Sequence, residues 1–182
     1  SGWLQRERAL DVQTQIAASR GHEIVRGKVF PTLGNQLVWR SLYRAGDTFY
    51  VDRIRVPWAG TPHWTPGSSV PHLSEADLPP QAQADARVVR DFRRFSWFSD
   101  GWTARTPADP AVIGDVRYSL RTDAFEPVWG VRFHPGSQQT TEWVDRTGQR
   151  ELSLAVIWSE INGSHPDYQP LRLSSGKAEA DR

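Results

Sequence analysis

The stretch "NQLVWRSLYRAGDTFYVDRIRV", residues 35–56, constrains this chain more than any other. Two runs rich in aromatic and β-branched residues alternate on either side of a short polar break, "AGD" at 45–47. In the first run Leu37, Trp39, Ser41 and Tyr43 share one face, and Val38, Arg40 and Leu42 the other. In the second, Tyr50, Ile54 and Val56 stand against Phe49, Val51, Arg53 and Arg55. A side-chain period of two, interrupted by a break of turn length, is the pattern of a β-hairpin. Ahead of it, "HEIVRGKVF" (22–30) alternates in part, and "PTLGN" (31–35) separates the two.

Helical spacing brackets this strand-rich region. Residues 3–20 read as a helix: Trp3, Leu10 and Ala17 recur at seven, Ala9, Val12 and Ile16 widen the stripe, and Gly21 caps the end. Residues 82–98 read as a second helix, with Ala84, Val88, Phe92 and Phe95 on one face. Arg87, Arg90, Asp91, Arg93 and Arg94 fall on the other, and Asp100-Gly101 ends it. Between the two, residues 57–81 are rich in Pro, Gly and Ser and read as a long surface loop with one helical turn at Ser74–Asp77. "AVIGDVRYSLR" (111–121) and "PVWGVRF" (127–133) read as an antiparallel pair joined through "TDAFE". Residues 146–163 read as a third helix, carried by Leu154, Ile157 and Ile161. The order predicts an α+β fold: a mostly antiparallel sheet of about five strands packed by two or three helices. It is expected to form one domain over 1–163, followed by a polar, disordered tail over 164–182.

Composition excludes several function classes. A formal net charge of +1 over 182 residues lacks the basic excess of an electrostatic nucleic-acid binder, so no nucleic-acid partner is expected. The chain has no cysteine, which removes disulfides, thiolate metal sites and a Cys nucleophile. No run approaches the ~18 apolar residues that cross a bilayer as a helix. No signal peptide is visible, and a start at Ser1-Gly2 without Met reads as a piece of a longer chain.

Familiar catalytic motifs are missing. None of His22, His63, His72, His134 and His165 stands four residues from another, and there is no H-E-x-x-H. His63 and His72 flank the Pro-rich stretch and read as solvated loop residues before metal ligands. There is no G-x-S-x-G elbow and no phosphate-binding glycine motif. Asp115 and Arg117, two apart on a strand, point to one face; Arg132 lies on the expected partner strand. Such charges make either a salt-bridge network or the lining of a polar cleft, because a guanidinium fork fits a carboxylate in both settings. "RFSWFSDGW" (94–102) sets Phe95, Trp97, Phe98 and Trp102 around one Asp-Gly turn. Trp97 and Trp102 either roof the core or form one wall of a cleft beside Asp115 and Arg117.

Taken together, "RGHEIVRGKVFPTLGNQLVWRSLYRAGDTFYVDRIRV", "RDFRRFSWFSDGW", "VIGDVRYS" and "VWGVRF" resemble one family in order and spacing. The chain resembles, over roughly residues 5 to 162, the C-terminal region of bacterial membrane-bound metal-dependent hydrolases of the LexA-regulated inner-membrane type. The resemblance implies that a membrane-embedded N-terminal region carries the His- and Asp-containing motifs and any divalent metal. No residue here matches those motifs, so none is carried over as catalytic or metal-binding, and this chain is expected to hold no cofactor of its own. The function implied is an extramembrane accessory or substrate-binding domain, not itself catalytic, of a protein in the bacterial inner membrane. Its candidate ligand cleft comprises Trp97, Trp102, Asp115, Arg117 and Arg40. Two alternatives compete: a self-contained hydrolase using Asp115 and Asp100 as acid and base, or a protein-interaction domain with an exposed apolar patch.

Overall fold

The computed structural model describes residues 2–32, 35–149 and 167–171. In chain order the first half runs α1 (Gly2–Ser19), β1 (Arg26–Pro31), β2 (Val38–Ala45), β3 (Thr48–Arg55) and β4 (His63–Pro71). The second runs α2 (Pro80–Ala84), α3 (Ala86–Phe98), β5 (Thr103–Arg105), β6 (Val112–Asp115), β7 (Trp129–Phe133), β8 (Thr141–Asp145) and β9 (Gln169–Pro170). The fold is α+β, with two antiparallel sheets. One orders its strands β1-β2-β3-β4-β9, the other β5-β6-β7-β8.

The hairpin is the middle of the first sheet. Ala45 pairs with Thr48 and Val38 with Arg55. Gly46, at the first central position of the turn, has φ +54°, which L side chains reach only with strain. Every residue from Val38 to Tyr43 is buried, because both faces of the sheet are covered. On one face Trp39 and Ile54 pack with Ala9, Val12 and Ile16 of α1. On the other, Leu42, Phe49, Val51 and Val70 pack with Trp102, Ala104, Val116 and Phe125. The second sheet then meets α3, whose Val88, Phe92 and Phe95 cover Ile113 and Val131. The layers run helix, sheet, sheet, helix.

The buried face of α1 differs from the expected stripe. Trp3 is largely exposed, and the buried positions are Gln5, Ala9, Val12, Gln13, Ile16 and Ala17. The two glutamines are accepted inside because they bond to sheet backbone. Gln5 Nε2 donates to the Val56 carbonyl at 3.0 Å, and Gln13 Nε2 to those of Lys28 and Leu42 at 3.0 and 3.2 Å.

The loop expected over 57–81 is in large part strand: residues 63–71 are β4, a 3-10 turn follows at Glu75–Asp77, and α2 begins at Pro80. Composition misled here because β4 tolerates proline: among the described residues only His63 and Trp64 pair on its outer side, with β9. Pro66 opens a bulge, where the pairing shifts between Tyr50 and Asp52 and Gly67 fits against the Val51 carbonyl, with no room for a side chain. The strand expected over 111–121 stops at Asp115. Of the helix expected over 146–163, one 3-10 turn at Thr147–Gln149 falls within the described residues, and 150–163 lie outside them. From the tail expected over 164–182, Gln169–Pro170 form β9 and Leu171 is buried in the α1 core; residues 164–166 and 172–182 are outside the description. Among the described residues no helix is long and apolar enough to cross a membrane.

Candidate functional site

The corner "RFSWFSDGW" is built by α3 and its exit. Asp85 caps the helix start by accepting the Arg87 backbone N–H at 3.0 Å. Ser99 N–H closes the last turn on the Phe95 carbonyl at 2.8 Å, and Gly101 N–H returns to Ser96 at 2.8 Å. Asp100 and Gly101 then take φ of +52° and +70° in succession, which swings the chain inward. Arg26 clasps the corner from β1, donating to the Asp100 carbonyl at 2.7 Å and to its carboxylate at 2.5 Å. That guanidinium holds the Asp100 carboxyl below the usual range.

The corner sends its two tryptophans opposite ways. Trp102 is buried, stacks on Phe49 at 5.3 Å, and lies under Arg26 and Lys28 at 5.0 and 5.7 Å. It roofs the core between the sheets. Trp97 is 85% exposed, the outermost large side chain of α3. Phe98 beside it is half exposed and meets the rings of Trp143 and Trp129 at 6.1 and 6.4 Å; Tyr118 continues the row 4.9 Å from Trp129. An open groove of 1230 Å³ runs beside α3, and its lining includes Ala76, Val89, Arg90, Arg93, Arg94 and Trp97.

Asp115 and Arg117 meet, but not in that groove. Asp115 is fully buried and takes a bidentate clasp from Arg117, Nε to Oδ1 at 3.0 Å and Nη2 to Oδ2 at 2.7 Å. It also accepts the Arg117 backbone N–H at 3.1 Å and Trp129 Nε1 at 3.4 Å. Arg117 reaches on to the Phe98 carbonyl at 2.8 Å, so the pair joins β6 to the end of α3. Its own pKa is raised, chiefly by the Asp115 hydrogen bonds. Arg132 stands on the partner strand as expected, yet binds Asp109 at 2.6 Å and Glu142 at 3.1 Å.

Arg40 lies between the two sheets, opposite Arg53 in register. It donates to the carbonyls of Val116 at 3.1 Å and Ala124 at 3.3 Å. Burial pulls its pKa down to about 10 against the pull of Asp123 and Asp115. Of the five expected cleft residues, Trp97 lines the groove and the other four take up interior positions that bind layers together.

A second cluster escaped sequence reading. Arg20 clasps buried Asp52 at 2.7 and 2.8 Å and donates to the Tyr43 hydroxyl at 3.0 Å, which lies 2.9 Å from His22 Nδ1. These residues come from the turn after α1 and from β2 and β3, and share no spacing, so no motif announces them. Among the described residues no three of His, Asp and Glu lie close enough to hold a metal ion. Compared with protein-family models, with curated proteins and with solved structures, the chain has no match.

Proposed function

We propose that this chain is the extramembrane accessory domain of a membrane-bound metal-dependent hydrolase of the bacterial inner membrane. In this reading it binds or presents substrate, or steadies a membrane-embedded part of the same protein, and the divalent metal belongs to that other part. The four-segment sequence resemblance supports the family. The observation that carries the non-catalytic role is Asp115: its carboxylate is fully buried, and besides the Arg117 clasp Oδ1 accepts the Arg117 backbone N–H and Oδ2 accepts Trp129 Nε1, so its lone pairs are taken up inside the protein. Asp100, the other acid/base candidate, is exposed and held ionised by Arg26, so its carboxyl is not poised as a general acid.

The test uses the purified chain with p-nitrophenyl acetate and p-nitrophenyl phosphate, with added Mn²⁺ or Zn²⁺, beside calorimetric titration of each metal. Neither turnover nor stoichiometric metal binding is expected. Turnover that Asp100→Asn abolishes, or that Asp115→Asn abolishes at an unchanged thermal midpoint, would establish the self-contained enzyme instead. A second reading, an interaction domain without a small ligand, is favoured by the apolar surface of Trp97, Phe98 and Trp143.

A further inference from the structure

We propose that the corner after α3 is a foot that rests on an anionic lipid bilayer, with Trp97 and Phe98 entering the headgroup layer and Arg90 and Arg94 facing the lipid phosphates. This goes beyond the accessory role above and does not depend on it, since the foot would act in the isolated domain.

The apolar part is unusually bare. Trp97, 85% exposed, touches little of its own chain, and Phe98 and Trp143 next to it are 49% and 53% exposed. Phe98 and Trp143 lie 6.1 Å apart, so they form one surface. The left-handed pair Asp100-Gly101 turns the chain inward directly afterwards and leaves Trp97 and Phe98 at the apex of the bend. Trp combines a large apolar ring with one N–H donor, which suits the boundary between headgroups and acyl chains. A fluid bilayer accepts such rings without a preformed complementary pocket.

The charged part matches in sign. Arg90, Arg94 and Trp97 stand at i, i+4 and i+7 on one face of α3. Around them, four arginines (Arg87, Arg90, Arg93, Arg94) meet three carboxylates (Glu75, Asp85, Asp91). Asp85 and Asp91 are set back, and the more exposed Glu75 is clasped by Arg93. Asp91, which serves both Arg90 and Arg94, is 20% exposed and also tied to Thr141 Oγ1 at 2.8 Å, whereas the Arg94 side chain is 74% exposed. Along α3 the outermost charges are therefore guanidiniums, which fit phosphate oxygens, and the one exposed carboxylate of the corner, Asp100, is held by Arg26 and Lys28.

Co-sedimentation of the 182-residue chain with phosphatidylcholine vesicles, with and without phosphatidylglycerol, tests this. Binding is expected with phosphatidylglycerol only, and it should weaken as salt rises. Removing both charges in Arg90→Gln/Arg94→Gln should lower the partition coefficient by about 30-fold, at about fivefold per arginine. Trp97→Ser, a change at a bare surface position, should lower it without moving the thermal midpoint. Trp3→Ser, at the other exposed aromatic end, should leave it unchanged. Four results would overturn the proposal: no binding to either vesicle, equal binding to both, loss through Trp3→Ser in place of Trp97→Ser, or capture of a polyglutamate peptide by a chain that ignores vesicles. The last would make the partner an acidic protein segment.

Discussion

Asp115 shows how one residue type can look catalytic in sequence and be structural in space. Its spacing to Arg117 was legible; its complete burial was not, because burial comes from α3 and Trp129 closing over it. Breaking a buried ion pair by removing one partner leaves the other uncompensated, so Asp115→Ala should lower unfolding free energy by ~3 kcal/mol or more in urea titrations. A catalytic Asp115 would show the reverse, lost turnover at unchanged stability. Asp85 carries a pH dependence. Its carboxylate accepts the Gly136 and Arg87 backbone N–H groups, and the Gly136 bond, followed by the Arg87 side chain, lowers its pKa to about 2. A depressed folded-state pKa means that the unfolded chain binds more protons in acid. The Asp85 contribution is thus fully present above the ordinary carboxylate range and fades as pH falls towards 2. Acid titrations followed by circular dichroism should show a shallower loss below pH ~4 for Asp85→Asn than for the native chain.

At the scale of elements, what could be read was whatever repeats locally. The hairpin was legible because each of its residues obeys the same period of two, and α3 because Val88, Phe92 and Phe95 obey 3.6. β4 was not, because its prolines speak for a loop while its place beside a bulge and a two-residue partner makes them harmless. β5 is three residues long, too short to show a period, so no local spacing announces the burial of Trp102 just before it. The inward face of α1 failed for a further reason: Gln5 and Gln13 read as surface, and only the carbonyls they meet make them interior. Gln13 also donates to Ser41 Oγ at 2.9 Å, which makes it a polar clamp from α1 onto β1 and β2. Gln13→Leu should cost about 1–3 kcal/mol in denaturant titrations even though it adds apolar surface, because it orphans buried acceptors. A stabilised Gln13→Leu would show that the clamp is dispensable.

Across the whole molecule, segments far apart in sequence close one core. α1 opens the sequence and Leu171 lies near its end, yet both belong to one cluster on the outer face of the first sheet, with Trp39, Ile54 and Val56. β9 adds its two residues to β4, and Thr65 Oγ1 holds the Asp167 carbonyl at 3.1 Å just before it. Hydropathy placed the boundary before this segment because two paired residues and one leucine leave almost no signal in a polar stretch. Their effect is nonlocal: Leu171 fills a gap that only the folded α1–sheet interface creates. Removing most of a buried leucine side chain leaves that gap open, so Leu171→Ala should destabilise the fold by ~2 kcal/mol or more. Cutting the chain after residue 163, where composition would end the domain, should cost at least as much, since it also bares the outer side of His63 and Trp64. Thermal unfolding of the full chain, the point variant and the truncated form decides between the two boundaries. If the form ending at 163 melts with the native chain, the C-terminal segment is only resting on the sheet; if it melts with Leu171→Ala or below it, residues 167–171 are part of the core between α1 and the first sheet.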